Sequence, residues 1–311
     1  MSSAVPEPRE TLDLVMPDGA HILARVHGNP AGPRLVLAHG NGFAIDAYVP
    51  FWGRLLDGYE VVVHDLRNHG RNPLFGSPGH NIEGFARDHA TLLRAIPERL
   101  GAKPTAGLYH SVSAIAALTH ATSLEEGAPL PWAALVLFDP PIIPSPGHQL
   151  HAMAQGMELF LANWAMSRPD RFADPAELAA QFSSAKGLSR WIAGAHEGMA
   201  RAVLRAEGDG WVLSCPRALE AATYVGNAYS RLWEALPRLQ AHRDRVLLVC
   251  SDPDIEDARS PSFTGRAAAE TFGIQRTAIP NTTHLLQIEA PEPCAKAATA
   301  FLSERGLAPA A

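Results

Sequence analysis

Short apolar runs recur at Arg34–Ala38, Tyr59–His64, Thr105–Tyr109, Ala133–Phe138 and Arg245–Cys250, each ended by turn-forming or polar residues. Runs of that length, rich in Val and Leu, fit strands buried on both faces of a sheet. Ahead of them, Thr11–Met16 and His21–His27 alternate around Pro17-Asp18-Gly19-Ala20, which predicts a β-hairpin turning at Asp-Gly. Helical spacing falls between the runs. Ile82, Phe85, His89, Leu92, Leu93 and Ile96 make one stripe, and Pro97 is expected to end or kink that helix. Further helices are predicted over Val49–Leu56, Ser113–Ala121, Gly265–Phe272 and Pro293–Arg305, with a last strand at Gln275–Ile279 and a frayed tail from Gly306.

The alternation breaks once. From Ile142 to about Leu236 the strand runs stop, and helical stretches are expected at His148–Met166, Pro175–Gln181, Leu188–Leu204 and Arg217–Leu236. Strands alternating with helices predict an α/β fold, a mainly parallel sheet with helices on both faces. The helical stretch then reads as a cap over the carboxyl ends of the strands, where open α/β sheets bind ligands. The predicted division is a core of residues 1–141 and 237–311 and a helical cap of 142–236. Met153, Met157, Met166 and Met199, with Trp164, Trp191, Trp211 and Trp233, lie in the cap segment. Most should form the cap's own core, and a few lining a pocket would favour an apolar ligand.

Composition narrows the partners. The 311 residues carry 26 basic and 32 acidic side chains, a net charge of −6 with no block of like sign, so neither nucleic acid nor an anionic membrane surface is expected. Cys215, Cys250 and Cys294 are odd in number and far apart, which suits buried free thiols in a reducing compartment. Met1 to Glu10 lacks the apolar core of a signal peptide, and no apolar run is long enough to span a membrane. The expectation is a cytoplasmic protein without cofactor or metal; a homo-oligomer is compatible with it. His148 and His151 have i, i+3 spacing, but no third metal ligand accompanies them.

The candidate chemistry centres on Leu108-Tyr109-His110-Ser111-Val112-Ser113-Ala114, a strand running through a sharp turn into a helix. That is the setting of a nucleophile elbow, G-x-S-x-G, although Tyr109 and Ser113 stand where glycine is usual. His39-Gly40-Asn41-Gly42 follows an earlier strand, Asp65-Leu66-Arg67-Asn68-His69-Gly70 the next, and Thr283-His284-Leu285-Leu286-Gln287-Ile288-Glu289-Ala290-Pro291 comes near the end. In this order the four segments resemble the α/β-hydrolase superfamily over nearly the whole chain. The resemblance implies Ser111 as nucleophile, His284 as its base, and an oxyanion hole from the N–H of Val112 with one from Gly40 or Asn41. It implies structural roles for His39, His64 and His69 and an orienting role for His110.

The acid has two candidates. Asp252, in the acidic loop after Arg245–Cys250, holds the superfamily's usual place, and Asp254 shares that loop. Asp139 follows the strand after the elbow, and its apolar, rigid setting of Phe138-Asp139-Pro140-Pro141 resembles zearalenone-type lactone hydrolases; Asp139 is the preferred acid. The expected activity is hydrolysis of a hydrophobic carboxylic ester or lactone, such as a macrolactone of the zearalenone kind, through an acyl-enzyme. The alternatives are haloperoxidase-like or epoxide hydrolase-like chemistry, or a non-catalytic ligand-binding protein. Serine at 111 counts against a carboxylate nucleophile.

Overall fold

A computed structural model describes residues 4–310. The first three residues of the leading segment and the last residue of the tail, on which the expectations above partly fell, lie outside the described residues.

Eleven strands form among the described residues: β1 (Glu10–Val15), β2 (His21–Gly28), β3 (Arg34–Ala38), β4 (Glu60–His64), β5 (Thr105–His110), β6 (Ala134–Phe138), β7 (Arg171–Phe172), β8 (Leu204–Glu207), β9 (Gly210–Leu213), β10 (Val246–Cys250) and β11 (Gln275–Ala278). Eight make one sheet in the order β1-β2-β4-β3-β5-β6-β10-β11. The β1–β2 hairpin and its pairing with β4 are antiparallel, and the other five pairings are parallel. The mainly parallel α/β sheet with helices, read from the apolar runs, is therefore the fold. Each run divides by alternation between two cores. Leu35, Leu37, Val61, Val63, Val136 and Phe138 face one; Val36, Val62, Leu135, Leu137, Val246 and Leu248 face the other. At about 1.5–3 kcal/mol for each large apolar side chain removed from water, both faces must be covered. Helices cover them.

Local departures have local causes. Pro97 does not end its helix, which runs Ile82–Leu100 with the proline inside its last turn. Asn81 Oδ1 caps the other end, accepting from Gly84 N at 2.7 Å. The helix expected over Val49–Leu56 is only Val49–Trp52, flanked on both sides by 3-10 turns.

The segment between β6 and β10 is not wholly helical. Alongside the helices His151–Ser167, Pro175–Ser184, Ala195–Val203 and Arg217–Ala228 it holds a small antiparallel sheet, β7-β9-β8. The helix expected over Leu188–Leu204 begins only at Ala195. Beyond it β8 and β9 pair Leu204 with Leu213 and Glu207 with Gly210, and Gly208 supplies the positive φ of 61° for the turn. The helix expected over Arg217–Leu236 stops at Ala228 and resumes at Leu232. Among the described residues no helix is long and apolar enough to cross a membrane.

The tail is docked rather than frayed. Leu307 is 2% exposed and its carbonyl accepts from the Tyr59 hydroxyl at 3.2 Å, while Ala310 N donates to Gly58 O at 2.9 Å. Leu307→Ala should therefore lower unfolding free energy by about 2–4 kcal/mol, as for a core leucine. Urea unfolding at neutral pH reads this directly; a loss under about 0.5 kcal/mol, the surface value, would mean that the tail contributes nothing.

Candidate active site

Parallel strands deliver their carboxyl ends to one edge of the sheet, and the polar residues collect there. Ser111 follows β5, Asp139 follows β6, Ser251 follows β10, and His284 lies on the loop beyond β11. Ser111 sits at φ 54°, ψ −120°, and Asp139 at φ 43°, two of four non-glycine residues with positive φ among the described residues. Such backbone costs on the order of 1–3 kcal/mol per residue and is held by its surroundings. Here Ser111 N donates to Phe138 O and Asp139 N to Val249 O, both at 2.9 Å, so each turn is clamped to a neighbouring strand.

Three of the expected residues meet. His284 Nε2 is 2.9 Å from Ser111 Oγ, and His284 Nδ1 is 2.8 Å from Asp139 Oδ2. The partners assign the tautomer: Nδ1–H donates to the carboxylate, and Nε2 accepts from the hydroxyl. Asp139 is fully buried, and its remaining acceptor capacity is met by Ser251, whose N donates to Oδ1 at 2.9 Å and whose Oγ–H donates to Oδ2 at 3.0 Å. Asp252 lies outside this group. Its carboxylate accepts from the N–H groups of Asp254 and Asn281, both at 2.9 Å, and these hydrogen bonds lower its pKa. It closes its own loop.

The histidine loop is held from both ends. Glu289 accepts from Thr283 N at 2.6 Å and from the Thr283 hydroxyl, which accounts for the glutamate late in that segment. His110 holds the other end: its Nε2–H donates to the His284 carbonyl at 2.9 Å, and its Nδ1 accepts from the Tyr48 hydroxyl at 2.8 Å. Burial holds the His110 pKa well below the usual value, which keeps one nitrogen a donor and the other an acceptor. Gly40 N approaches the same Tyr48 oxygen at 3.4 Å. Gly40, Tyr48, His110 and His284 thus form one chain of contacts.

The loop after β3 is pinned by two more neutral imidazoles. His39 Nδ1–H donates to Gly40 O at 2.7 Å while its Nε2 accepts from Leu66 N at 3.1 Å. His69 Nδ1–H donates to Arg67 O at 2.9 Å while its Nε2 accepts from Gly42 N at 3.1 Å. Two positions there require glycine. A Cβ on Gly40 would stand 2.9 Å from His110 Nδ1, and one on Gly42, at φ 72°, would meet the Glu220 carboxylate at 2.4 Å. That carboxylate pairs with Arg168, and burial raises its pKa despite the guanidinium. Asn41 Nδ2 donates to Glu220 O at 2.9 Å, which ties the helix Arg217–Ala228 to this loop.

Tyr109 and Ser113 have roles of their own. Tyr109 projects away from the site, stacking on His89 at 4.5 Å between ring centroids and accepting from Trp132 Nε1 at 3.3 Å. Gly107 makes room for its ring, since a Cβ there would lie 2.4 Å from it. Ser113 Oγ accepts from His110 N at 3.0 Å and contacts His110 O at 2.8 Å, closing the elbow where glycine would leave it open.

Met153, Trp164 and Met166 are exposed, Trp191 and Met199 pack in one core, and Trp233 packs in the other. His148 and His151 bond to backbone, at Leu150 N and Pro144 O. Two residues that hold this arrangement were missed by sequence reasoning, Tyr48 and Ser251; neither carries a motif that marks it.

A family model described as alpha/beta hydrolase family matches residues 35–297. Among solved structures, E-2-(acetamidomethylene)succinate hydrolase superposes with a TM-score of 0.74 at 20% identity, over 94% of this chain and 99% of that one. The thioesterase domain from the curacin biosynthetic pathway gives 0.70 at 19% identity, over 94% and 99%. A structure from work on carboxylesterases of Nitrososphaera gargenis gives 0.67 at 16% identity, over 95% and 99%.

The buried imidazoles set an acid limit. Burial pushes His39, His69 and His80 down to about 3 and His27 and His64 to about 4, against 6.5 when unfolded. Between pH 6.5 and 4 the unfolded chain binds more protons, so their stabilisation is full above 6.5 and lost as pH falls toward 4. Raised carboxyls such as Glu220 oppose this slope, so imidazole proton NMR is the cleaner measurement. These five rings should not titrate between pH 8 and 5; chemical-shift midpoints near 6.5 would refute their being held neutral by burial.

Proposed function

The chain belongs to the alpha/beta hydrolase family, and from that premise we propose that it is a serine hydrolase of hydrophobic carboxylic esters or lactones. The observation that carries this reading is the unbroken chain Ser111 Oγ–His284 Nε2, His284 Nδ1–Asp139 Oδ2, at 2.9 and 2.8 Å. His284 takes the Ser111 proton as Oγ attacks the ester carbonyl carbon. The resulting oxyanion accepts from backbone N–H groups of Val112 and the loop after β3. Gly40 N faces the Tyr48 hydroxyl, which favours Asn41 as the loop's donor. His284 then gives its proton to the departing alkoxide, leaving acyl-Ser111. A water deprotonated by His284 attacks the acyl carbon, and collapse returns the proton to Ser111 and releases the acid. With a lactone, both products are one hydroxy acid.

Asp139 keeps His284 in the tautomer this cycle needs and stabilises the imidazolium that forms. The position of this acid, after β6, supports the lactone form of the reading, with a macrolactone of the zearalenone kind as its finest version. Three buried free thiols support a reducing compartment such as the cytoplasm.

Two measurements test the reading. A fluorophosphonate probe should label wild-type protein on Ser111, located by mass spectrometry, and should not label Ser111→Ala; no adduct on folded wild-type protein would end it. Asp139→Asn should lower kcat on p-nitrophenyl butyrate by about 10³–10⁴-fold, as tautomer loss does, whereas Asp252→Asn should stay within about 2-fold, in the range of surface changes. Wild-type turnover in Asp139→Asn would remove this acid from the reaction.

A further inference from the structure

Among the described residues nine large apolar side chains are exposed, and five lie on the helix His151–Ser167: Met153, Leu159, Phe160, Trp164 and Met166. Two more, Val225 and Tyr229, belong to the helix Arg217–Ala228 and the residue that ends it. Apolar side chains scattered singly over a surface need no explanation, but seven of nine on two elements do. A surface helix ordinarily turns its apolar stripe inward and its charges outward. His151–Ser167 does the reverse. Its inward stripe is Ala154, Glu158, Ala162 and Ala165, while Met153, Phe160 and Trp164, at i, i+7 and i+11, make the outward one. Buried Glu158 is the helix's sole Asp, Glu, Lys or Arg, so its outer face carries none.

The two helices are antiparallel neighbours. Gln155 Nε2 donates to Ala228 O at 3.1 Å at one end, and Arg217 Nη1 donates to Arg168 O at 2.8 Å at the other. On the second helix the exposed positions Ala218, Ala222, Val225 and Gly226 lead to Tyr229 at helical spacing, again without a charge. Two uncharged stripes therefore run side by side, with Arg217 and Asp170, paired at 3.0 Å, at their end. Gly156 and Gly226 are a further, independent sign. Glycine inside a helix costs stability and is kept where another backbone comes close. A Cβ at either position would meet nothing within 4 Å, so no contact within one copy of the chain calls for glycine there.

Area and charge identify what covers this face. At 37–66% exposure the seven side chains present on the order of 700 Å², above the ~300–600 Å² of the largest patch on an ordinary monomer. That approaches the ~800 Å² each partner gives to a standard interface. A lipid surface fits less well, because helices that lie on membranes carry Lys and Arg along their polar side. Arg217 is the only Lys or Arg in these two helices, and the chain's net charge is −6. An uncharged face meets its own copy without repulsion, and a two-fold pairing closes on itself.

We propose that this face pairs two copies of the chain about a two-fold axis, the two helices of one protomer packing on the same two of the other. Asn41 and Asn227 tie Arg217–Ala228 to the loops after β3 and β6, so pairing braces from outside a helix that these bonds hold from within. The pairing does not depend on the serine chemistry, and Ser111→Ala should pair as wild type does.

Sedimentation velocity over about 0.1–100 μM, a range that spans micromolar and tighter interfaces, should show a species of twice 33.3 kDa. Phe160→Glu should raise its dissociation constant at least about 30-fold, the scale of an interface hot spot. Tyr229→Lys, at a side chain 66% exposed, should do the same and decides the matter if the glutamate variant misfolds. Leu74→Glu, at an exposed leucine outside the two helices, should stay within about 2-fold of wild type. A single 33.3 kDa species throughout, a dimer that survives both charged variants, or assembly beyond two copies would overturn the proposal. So would flotation of wild-type protein, but not Phe160→Glu, with phosphatidylcholine vesicles, which would give the face to lipid.

Discussion

The whole arrangement depends on burying the Asp139 carboxylate completely and still meeting its hydrogen-bond demand. A carboxyl taken out of water is tolerated only where enough donors converge on it. Three do: the N–H and hydroxyl of Ser251 and the Nδ1–H of His284. They come from two distant places in the chain, and the parallel sheet is what brings them together. Asp139 follows β6 and Ser251 follows β10, its neighbour, while His284 lies on the loop past β11. Breaking any one contact leaves a buried acceptor short, so the folding requirement and the orientation of the imidazole are the same requirement.

The histidines extend this logic without charge. A neutral imidazole is both donor and acceptor, so one ring can splint two loops across a dry interior. His39 and His69 splint the loop after β3, and His110 joins that loop, through Tyr48, to the carbonyl of His284. Lysine or arginine could only donate at these places, and aspartate or glutamate could only accept. Three of the fourteen histidines serve as such splints, and one other ring is hydrogen-bonded to both Ser111 and Asp139.

What was legible in the sequence was what is local. Fully buried parallel strands show as short Val/Leu runs, and β3, β4, β5, β6 and β10 stand within about a residue of their apolar runs. Ser111, His284 and Asp139, which lie within hydrogen-bond distance of one another, could be singled out because strand, turn and polar residue adjoin in sequence. The small sheet was not, because β8 and β9 are four residues each and follow a helix whose periodicity masks them. The docked tail was missed for a different reason: Leu307 gains its burial from Tyr59 and the chain near Gly58, far away in sequence. Tyr109 looked anomalous only from the elbow's side. Viewed along β5, it faces the opposite core, and Gly107 two residues earlier gives its ring the room.

The same distinction changes how the segment above the sheet bears on specificity. Counting methionines and tryptophans suggests an apolar roof, because side-chain type is legible in a sequence while side-chain direction is not. In the helix His151–Ser167 the direction runs the other way: Phe160, Trp164 and Met166 point outward, and the stripe facing inward is alanine interrupted by Glu158. Small residues let that helix approach Arg217–Ala228 closely. A polar group kept in that stripe costs stability that a fourth alanine would not.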